Sequence, residues 1–223
     1  MTFIKETYTS RAAEYIRELI RTGSLVPGQP IRENMISEAL GISHAPILEA
    51  LLLLAEQGLI ENEPHKGKRV ATIDPETIFG RYKVAGILLG AGAAEAVALW
   101  TEKDRKRFEE AAGRIAAIGE SCDPDEIARL DGEFHDCTIC KCPNAYLVST
   151  ARNSCSCIAK FLYQQQWRAL LTPAEYRRRH MRIAEAVLAG DPARIEKTLR
   201  RHYEDTGRLM AEMVLRCNGR EKS

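Results

Sequence analysis

Four side chains in the second half of the sequence carry the chemistry of a metal site. Asp131 and His135 are four residues apart, which sets them on one face of a helix, one turn from each other, with Phe134 beside them facing inward. His180 lies ten residues before Gly190, and His202 eleven after Asp191. If Gly190-Asp191-Pro192 turns the chain between two antiparallel helices, a rise of ~1.5 Å per residue puts the two imidazoles level across the hairpin. One carboxylate and three neutral imidazoles suit a divalent cation such as Zn²⁺ or Ni²⁺. Such a site has room for water or a carboxylate ligand. The same donors also fit a metal-dependent enzyme, the alternative reading. Glu133, however, falls on a different face from Asp131 and His135, so no general base stands with them.

The first 72 residues have another chemistry. Tyr8 to Thr22 repeats Ala12, Tyr15, Ile16, Leu19 and Ile20 at helical spacing and ends at Gly23 and Pro27-Gly28. Arg32 to Leu40 is a short helix with Met35, Ile36, Ala39 and Leu40 inward, stopped by Gly41. Ser43 caps a third helix, His44 to Gln57. Two short strands, 59–62 and 68–71, flank His65-Lys66-Gly67. Helix, helix, tight turn, helix and hairpin make a winged helix-turn-helix. In that arrangement the N-terminal residues of the last helix meet base edges in a major groove. The candidates for DNA contact are Ser43, His44, Ala45 and Pro46, followed by Leu48 and Glu49. Lys66, Gly67 and Lys68 in the wing, and Arg32 before the second helix, serve the backbone or a base. The run Leu51 to Leu54 is more apolar than one buried face requires. A winged helix that has lost DNA binding and serves as a partner module is the second alternative.

These elements need a scaffold. After Ile73-Asp74-Pro75 the chain reads as helix throughout, with spans 75–100, 103–120, 123–141, 144–171, 173–189 and 191–216. The expected fold is all-α with a small winged-helix hairpin: a domain over 1–73 and an antiparallel helical bundle over 74–223. Among the 223 residues, 45% are hydrophobic and only 6% aromatic, which argues against a sandwich or barrel. The net charge of +1 excludes a polybasic coat for nucleic acid or membrane, and residues 1–72 alone carry −1. Weak nonspecific DNA binding and a modest salt slope are expected from that head. No stretch reads as a transmembrane helix or secretory signal. Seven cysteines, an odd number, read as reduced thiols in a cytoplasmic protein. Cys137, Cys140, Cys142, Cys155 and Cys157 read as buried structural thiols. Arg177-Arg178-Arg179 reads as a solvated face.

The stretch 25–70 resembles the DNA-binding domain of GntR-family bacterial transcription regulators. Pro27-Gly28, Ile31-Arg32-Glu33, Ala39-Leu40-Gly41-Ile42-Ser43, Pro46, Glu49-Ala50-Leu51, Leu54, Gly58-Leu59-Ile60 and Gly67 carry the resemblance. That family usually has arginine where this sequence has His44 and Leu48. The pattern Asp131-x-x-Phe134-His135, Asn144, Leu147, His180, His202 resembles the FCD effector-binding domain of the FadR branch of the same family. The resemblance implies a divalent metal on Asp131, His135, His180 and His202, a small organic acid effector on that metal, a homodimer and double-stranded operator DNA. An Arg and a Glu often found in the first bundle helix are replaced by Ala85 and Leu89. Arg81, Tyr82, Arg152 and Tyr163 are the candidates for effector contact, with Asn153 and Arg168 as further polar positions.

Overall fold

The computed structural model describes residues 7–63, 67–155, 158–168 and 170–220. His65, Lys66, Cys157 and the side chain of Arg168 lie outside the described residues. The chain forms two compact units. One comprises Met1–Ile73, Ile158–Gln166 and Val214–Ser223; the other comprises Asp74–Cys157 and Trp167–Met213.

In the first unit, α1 (Tyr8–Arg21) opens with a capping box in which Thr7 and Ser10 satisfy each other's backbone N–H. Ala12, Ala13, Ile16 and Ile20 are its buried stripe. The chain bends by 118° between α2 (Glu33–Leu40) and α3 (His44–Glu56). Gly41 makes that turn, at φ 64°, a left-handed conformation that glycine adopts without strain. The Ser37 hydroxyl donates to the Ile42 carbonyl at 2.7 Å and fixes the turn from inside. Only Ile36 of α2 is buried. Met35 is 43% exposed and Ala39 is also at the surface, against the expected inward set, because an eight-residue helix presents little more than one residue per face to the core. Strands β1 (Ile60–Glu63) and β2 (Gly67–Val70) pair antiparallel, Ile60 opposite Val70. The segment before α2 joins them: Pro30 bridges Arg69, and Gly28 and Ile31 donate to the Val70 and Lys68 carbonyls.

The second unit holds α4 (Pro75–Val97), α5 (Glu102–Ala116), α6 (Pro124–Ile139), α7 (Ala145–Cys155) and α10 (Pro173–Ala189). The long helix expected over 144–171 is broken: α7 is followed by two single-turn pieces, α8 (Ile158–Leu162) and α9 (Gln164–Arg168). No proline or glycine marks that break. Helix α11 (Pro192–Arg220) begins just beyond Gly190, which ends α10 at φ 72°. Of the cysteines, Cys137 is buried, Cys142 is half-buried and Cys140 is exposed, so the expectation of a buried thiol fails at Cys140. No single helix among the described residues is long and apolar enough to cross a membrane.

Small residues let α4 lie close against α11. A Cβ at Gly90 would sit 2.8 Å from the Glu196 carbonyl oxygen, and one at Gly86 would sit 2.9 Å from the Tyr203 Cβ. Alanine favours a helix over glycine by ~1 kcal/mol. Here backbone atoms stand in the way, and overpacking of this kind costs roughly 1–3 kcal/mol. Gly90→Ala is therefore expected to lower the melting temperature. Gly80→Ala, on the same helix with nothing within 4 Å of the new methyl, is expected to leave it unchanged or raise it. Thermal unfolding of the two variants in parallel checks the crossing; equal shifts would mean the helices are not in contact there.

Candidate functional site

Helices α6, α10 and α11 bring three imidazoles together. The coordinating atoms of His135, His180 and His202 all lie within 4.8 Å of one another. Their ring centroids are 5.3 Å (His135 to His180), 5.2 Å (His135 to His202) and 5.0 Å (His180 to His202) apart. Asp131 Oδ1 stands 2.9 Å from His180 Nε2 and 3.7 Å from His135 Nε2. Phe134 packs edge-on against both rings and also reaches Phe108, so the core fixes the rotation of α6 that aims Asp131 and His135 inward.

Two tyrosines complete the cluster, and sequence reasoning missed both. The Tyr176 hydroxyl donates to Asp131 Oδ1 at 2.7 Å, and its ring lies 4.1 Å from that of His180. Burial and the adjacent Asp131 carboxylate push the Tyr176 phenol far above its ordinary range, so it stays a donor. Tyr203 packs on His135 and His202. The signal for Tyr176 was its place one turn before His180, on the same face of α10.

The donor set fits a divalent cation. His180 Nδ1 lies 2.8 Å from the Tyr176 carbonyl oxygen, which can only accept, so the proton is on Nδ1. In the neutral ring the Nε2 lone pair then points at Asp131 Oδ1. Two lone pairs opposed at 2.9 Å repel unless a proton or a cation is shared between them. Fixing one imidazole nitrogen so that the other is free is the usual preparation of a metal-ligating histidine. Burial, with His135 and His180 beside it, holds the pKa of His202 well below the ordinary histidine value, so this ring is a neutral donor. With Zn–N bonds of ~2.0–2.1 Å, one ion reaches all three nitrogens after small ring rotations.

The polar ends of three candidate effector residues are engaged elsewhere. Arg81 donates to the carbonyls of Asn153 (2.7 Å) and Ser154 (3.4 Å). Arg152 pairs with Asp136 at 2.7 Å, and Tyr163, in the first unit, donates to Asn218 at 3.0 Å. Tyr82 is buried, with its Cβ against Gly207 of α11. The arginine run is not a simple solvated face either: Arg177 donates to the Ile118 carbonyl, and Arg179 to Thr206 Oγ1 at 2.8 Å. Three consecutive helical residues point about 100° apart, so they cannot share one face.

In the other unit, Arg32, Ser43, His44, Ala45 and Gly67 are exposed and Pro46 is half-buried. Ser43 occupies the N-cap position of α3, but its side chain makes no capping bond, which leaves the hydroxyl for other partners. His44 Nε2 is 2.9 Å from Asn34 Oδ1. Lys68 Nζ stands 3.5 Å from Glu33, so this wing cation is already partly neutralised. Leu51 and Leu54 are buried, whereas Leu48 (38% exposed) and Leu52 (59% exposed) continue the surface of α3 beyond His44.

A winged helix-turn-helix joined to an all-helical unit is the architecture of a DNA-binding transcription regulator. Comparison with known proteins identifies the kind. Residues 82–205 match the FCD domain, and residues 8–70 match the bacterial regulatory proteins of the gntR family. The chain belongs to the GntR family, with an FCD domain, and is a transcriptional regulator rather than an enzyme. It is 28% identical over 201 residues to a probable D-xylose utilization operon transcriptional repressor of Paenarthrobacter nicotinovorans, covering 89% of this chain and 86% of that one. It is 25% identical over 183 residues to the transcriptional repressor RspR of Escherichia coli, covering 81% and 79% respectively. A GntR regulator structure from Rhodococcus sp. RHA1 superposes with a TM-score of 0.59 at 21% identity, over 91% of this chain and 96% of that chain, a likeness of fold.

Proposed function

We propose that the protein is a ligand-responsive regulator that binds operator DNA as a dimer through residues 1–73. Its bundle, 74–223, holds a divalent cation on Asp131, His135, His180 and His202 and senses a small organic acid. The observation that supports this most directly is the convergence of three imidazoles and a carboxylate in a chain with a DNA-reading head. A bound Zn²⁺ or Ni²⁺ supplies a positive centre with open positions to which a carboxylate can coordinate. Asp131 offsets part of that charge, Tyr176 orients Asp131, and the Tyr176 carbonyl sets the tautomer of His180. Arg32, Ser43, His44, Ala45, Pro46, Lys66, Gly67 and Lys68 contact the duplex. For the acid to act as a signal it must bind two arrangements of the dimer with free energies differing by ~1–3 kcal/mol.

The test is anisotropy of a labelled duplex from the chain's own upstream region, at low salt, with elemental analysis of the same sample. Saturable binding that shifts on adding pyruvate, lactate or malate, with one divalent ion per chain, is the expected result. Absence of duplex binding at low salt would show that the head no longer reads DNA. Tyr176→Phe removes only the hydrogen bond to Asp131, so metal affinity is expected to fall by about tenfold, read by competition with a chromogenic chelator. An unchanged affinity would remove Asp131 from the ligand set.

A further inference from the structure

A cavity of about 670 Å³ lies along the α10–α11 hairpin of the second unit, within the size range of small-molecule sites. Arg178, Arg179 and Arg182 line it from α10, and Arg194, Lys197 and Arg201 from α11. Three carboxylates share the lining, and each is already engaged. Glu175 accepts from Thr172 in the cap of α10. Glu185 is 3.9 Å from Arg194, and Asp205 is 3.7 Å from Arg201 and 3.2 Å from Arg208. Among the described residues, Arg178, Arg182 and Lys197 have no acidic partner. Arg179 hydrogen-bonds Thr206 Oγ1 and the His202 carbonyl and lies in the field of the Asp205 and Glu175 carboxylates, while its Nε is buried with no hydrogen-bond partner among the described residues.

This arrangement works against the stability of its own helices. Arg178 and Arg182 repel across one turn of α10, and Lys197 and Arg201 do so across one turn of α11. Arg194 also sits in the first turn of α11, where the macrodipole disfavours a cation. Cations gathered so around a concavity are compensated when an anion is bound, and guanidinium forks match phosphoryl oxygens two at a time.

The geometry points to a second ligand site here, for a small molecule carrying two or more negative charges of the phosphoryl type. It does not use the metal ligands for binding, although His202 forms one edge of the cavity and Arg179 reaches its carbonyl. A duplex is a poorer fit, because the partnerless cations surround a hollow and Arg179 is at its half-buried floor.

The test uses the full chain, stripped of metal and freed of chelator, titrated calorimetrically with inorganic pyrophosphate at low salt. Saturable binding of one pyrophosphate per chain is expected. The double variant Arg182→Gln, Lys197→Gln is expected to weaken it by about tenfold or more. Glu185→Gln, which frees Arg194, is expected to tighten it, so a gain is available should the double variant fail to fold. His135→Ala is expected to leave it unchanged. Absence of saturable binding, or one affinity shared by wild type, double variant and Glu185→Gln, overturns the site. Loss of binding in His135→Ala assigns the anion to the imidazole cluster instead. Displacement of pyrophosphate by random-sequence duplex would assign the groove to nucleic acid backbone.

Discussion

Stripping divalent ions from the full chain is expected to lower the melting temperature of its helical unit by about 5–15 °C, and to do so only while His180 is intact. The size follows from mass action. An ion bound at 100 to 1,000 times its dissociation constant stabilises the folded state by roughly 2.7–4.1 kcal/mol, and ~1 kcal/mol moves the midpoint of a domain this size by about 2–4 °C. The direction follows from the geometry. A cation held on Asp131, His135, His180 and His202 would tie α6, α10 and α11 to one another, at a His180 side chain only 3% exposed, and that tie is lost with the ion. His180→Ala removes one ligand of the set. This variant is expected to melt lower than the loaded wild type and to respond little to chelator. His44→Ala, which removes an exposed imidazole in the other unit, is expected to keep the full response to chelator. Should chelator shift wild type and His180→Ala equally, any ion the protein holds is elsewhere.

How much of this was legible in the sequence depended on whether the determining contact was local. Gly41 stops α2 and turns the chain into α3, and both facts are contained in one residue's tolerance of positive φ. The hairpin register, Ile60 opposite Val70 and Glu63 opposite Gly67, agrees with the alternation of the two short runs. The pairing of Pro30 with Arg69 does not, since nothing in the stretch 28–31 repeats with strand periodicity. The interruption at Tyr163, between α8 and α9, has a similar reason: Phe161-Leu162-Tyr163-Gln164-Gln165 holds no residue that forbids a helix. For the imidazoles, the level of His180 and His202 was set by their distances from Gly190. Their rotation about the helix axes was not. Phe134 between Phe108 and the two rings, and Gly86 and Gly90 drawing α11 against α4, supply that rotation. Contacts between residues far apart in the chain leave no mark on local spacing.

Replacing His44 by arginine is expected to tighten DNA binding and to create a preference for guanine at one position of each half-site. At the N-terminus of α3 an arginine places two parallel donors against the O6 and N7 of guanine, a contact worth ~1–3 kcal/mol against the wrong base, or roughly 5- to 150-fold. Histidine offers one donor, and here Nε2 is 2.9 Å from Asn34 Oδ1, so the native ring gives up that bond before it can turn to a base. The exposed bond is a small loss beside a bidentate contact. Leu48, one turn further on and 38% exposed, tests the other half of the surface. Leu48→Arg adds a cation near the phosphates, so binding should strengthen across all sequences and the slope of log affinity on log salt should steepen by about one. The two substitutions thus separate by their signatures: His44→Arg changes which sequence is preferred, and Leu48→Arg changes how binding depends on salt. The head carries a net charge of −1 over residues 1–72, and Lys68 is tied to Glu33 at 3.5 Å, so one added charge is a large fraction of its attraction for the duplex. Competition among randomised duplexes at two salt concentrations measures both effects. Unaltered preference in His44→Arg together with an unaltered slope in Leu48→Arg would mean that α3 does not enter the groove, and that the exposed surface of Leu48 and Leu52 faces something other than DNA.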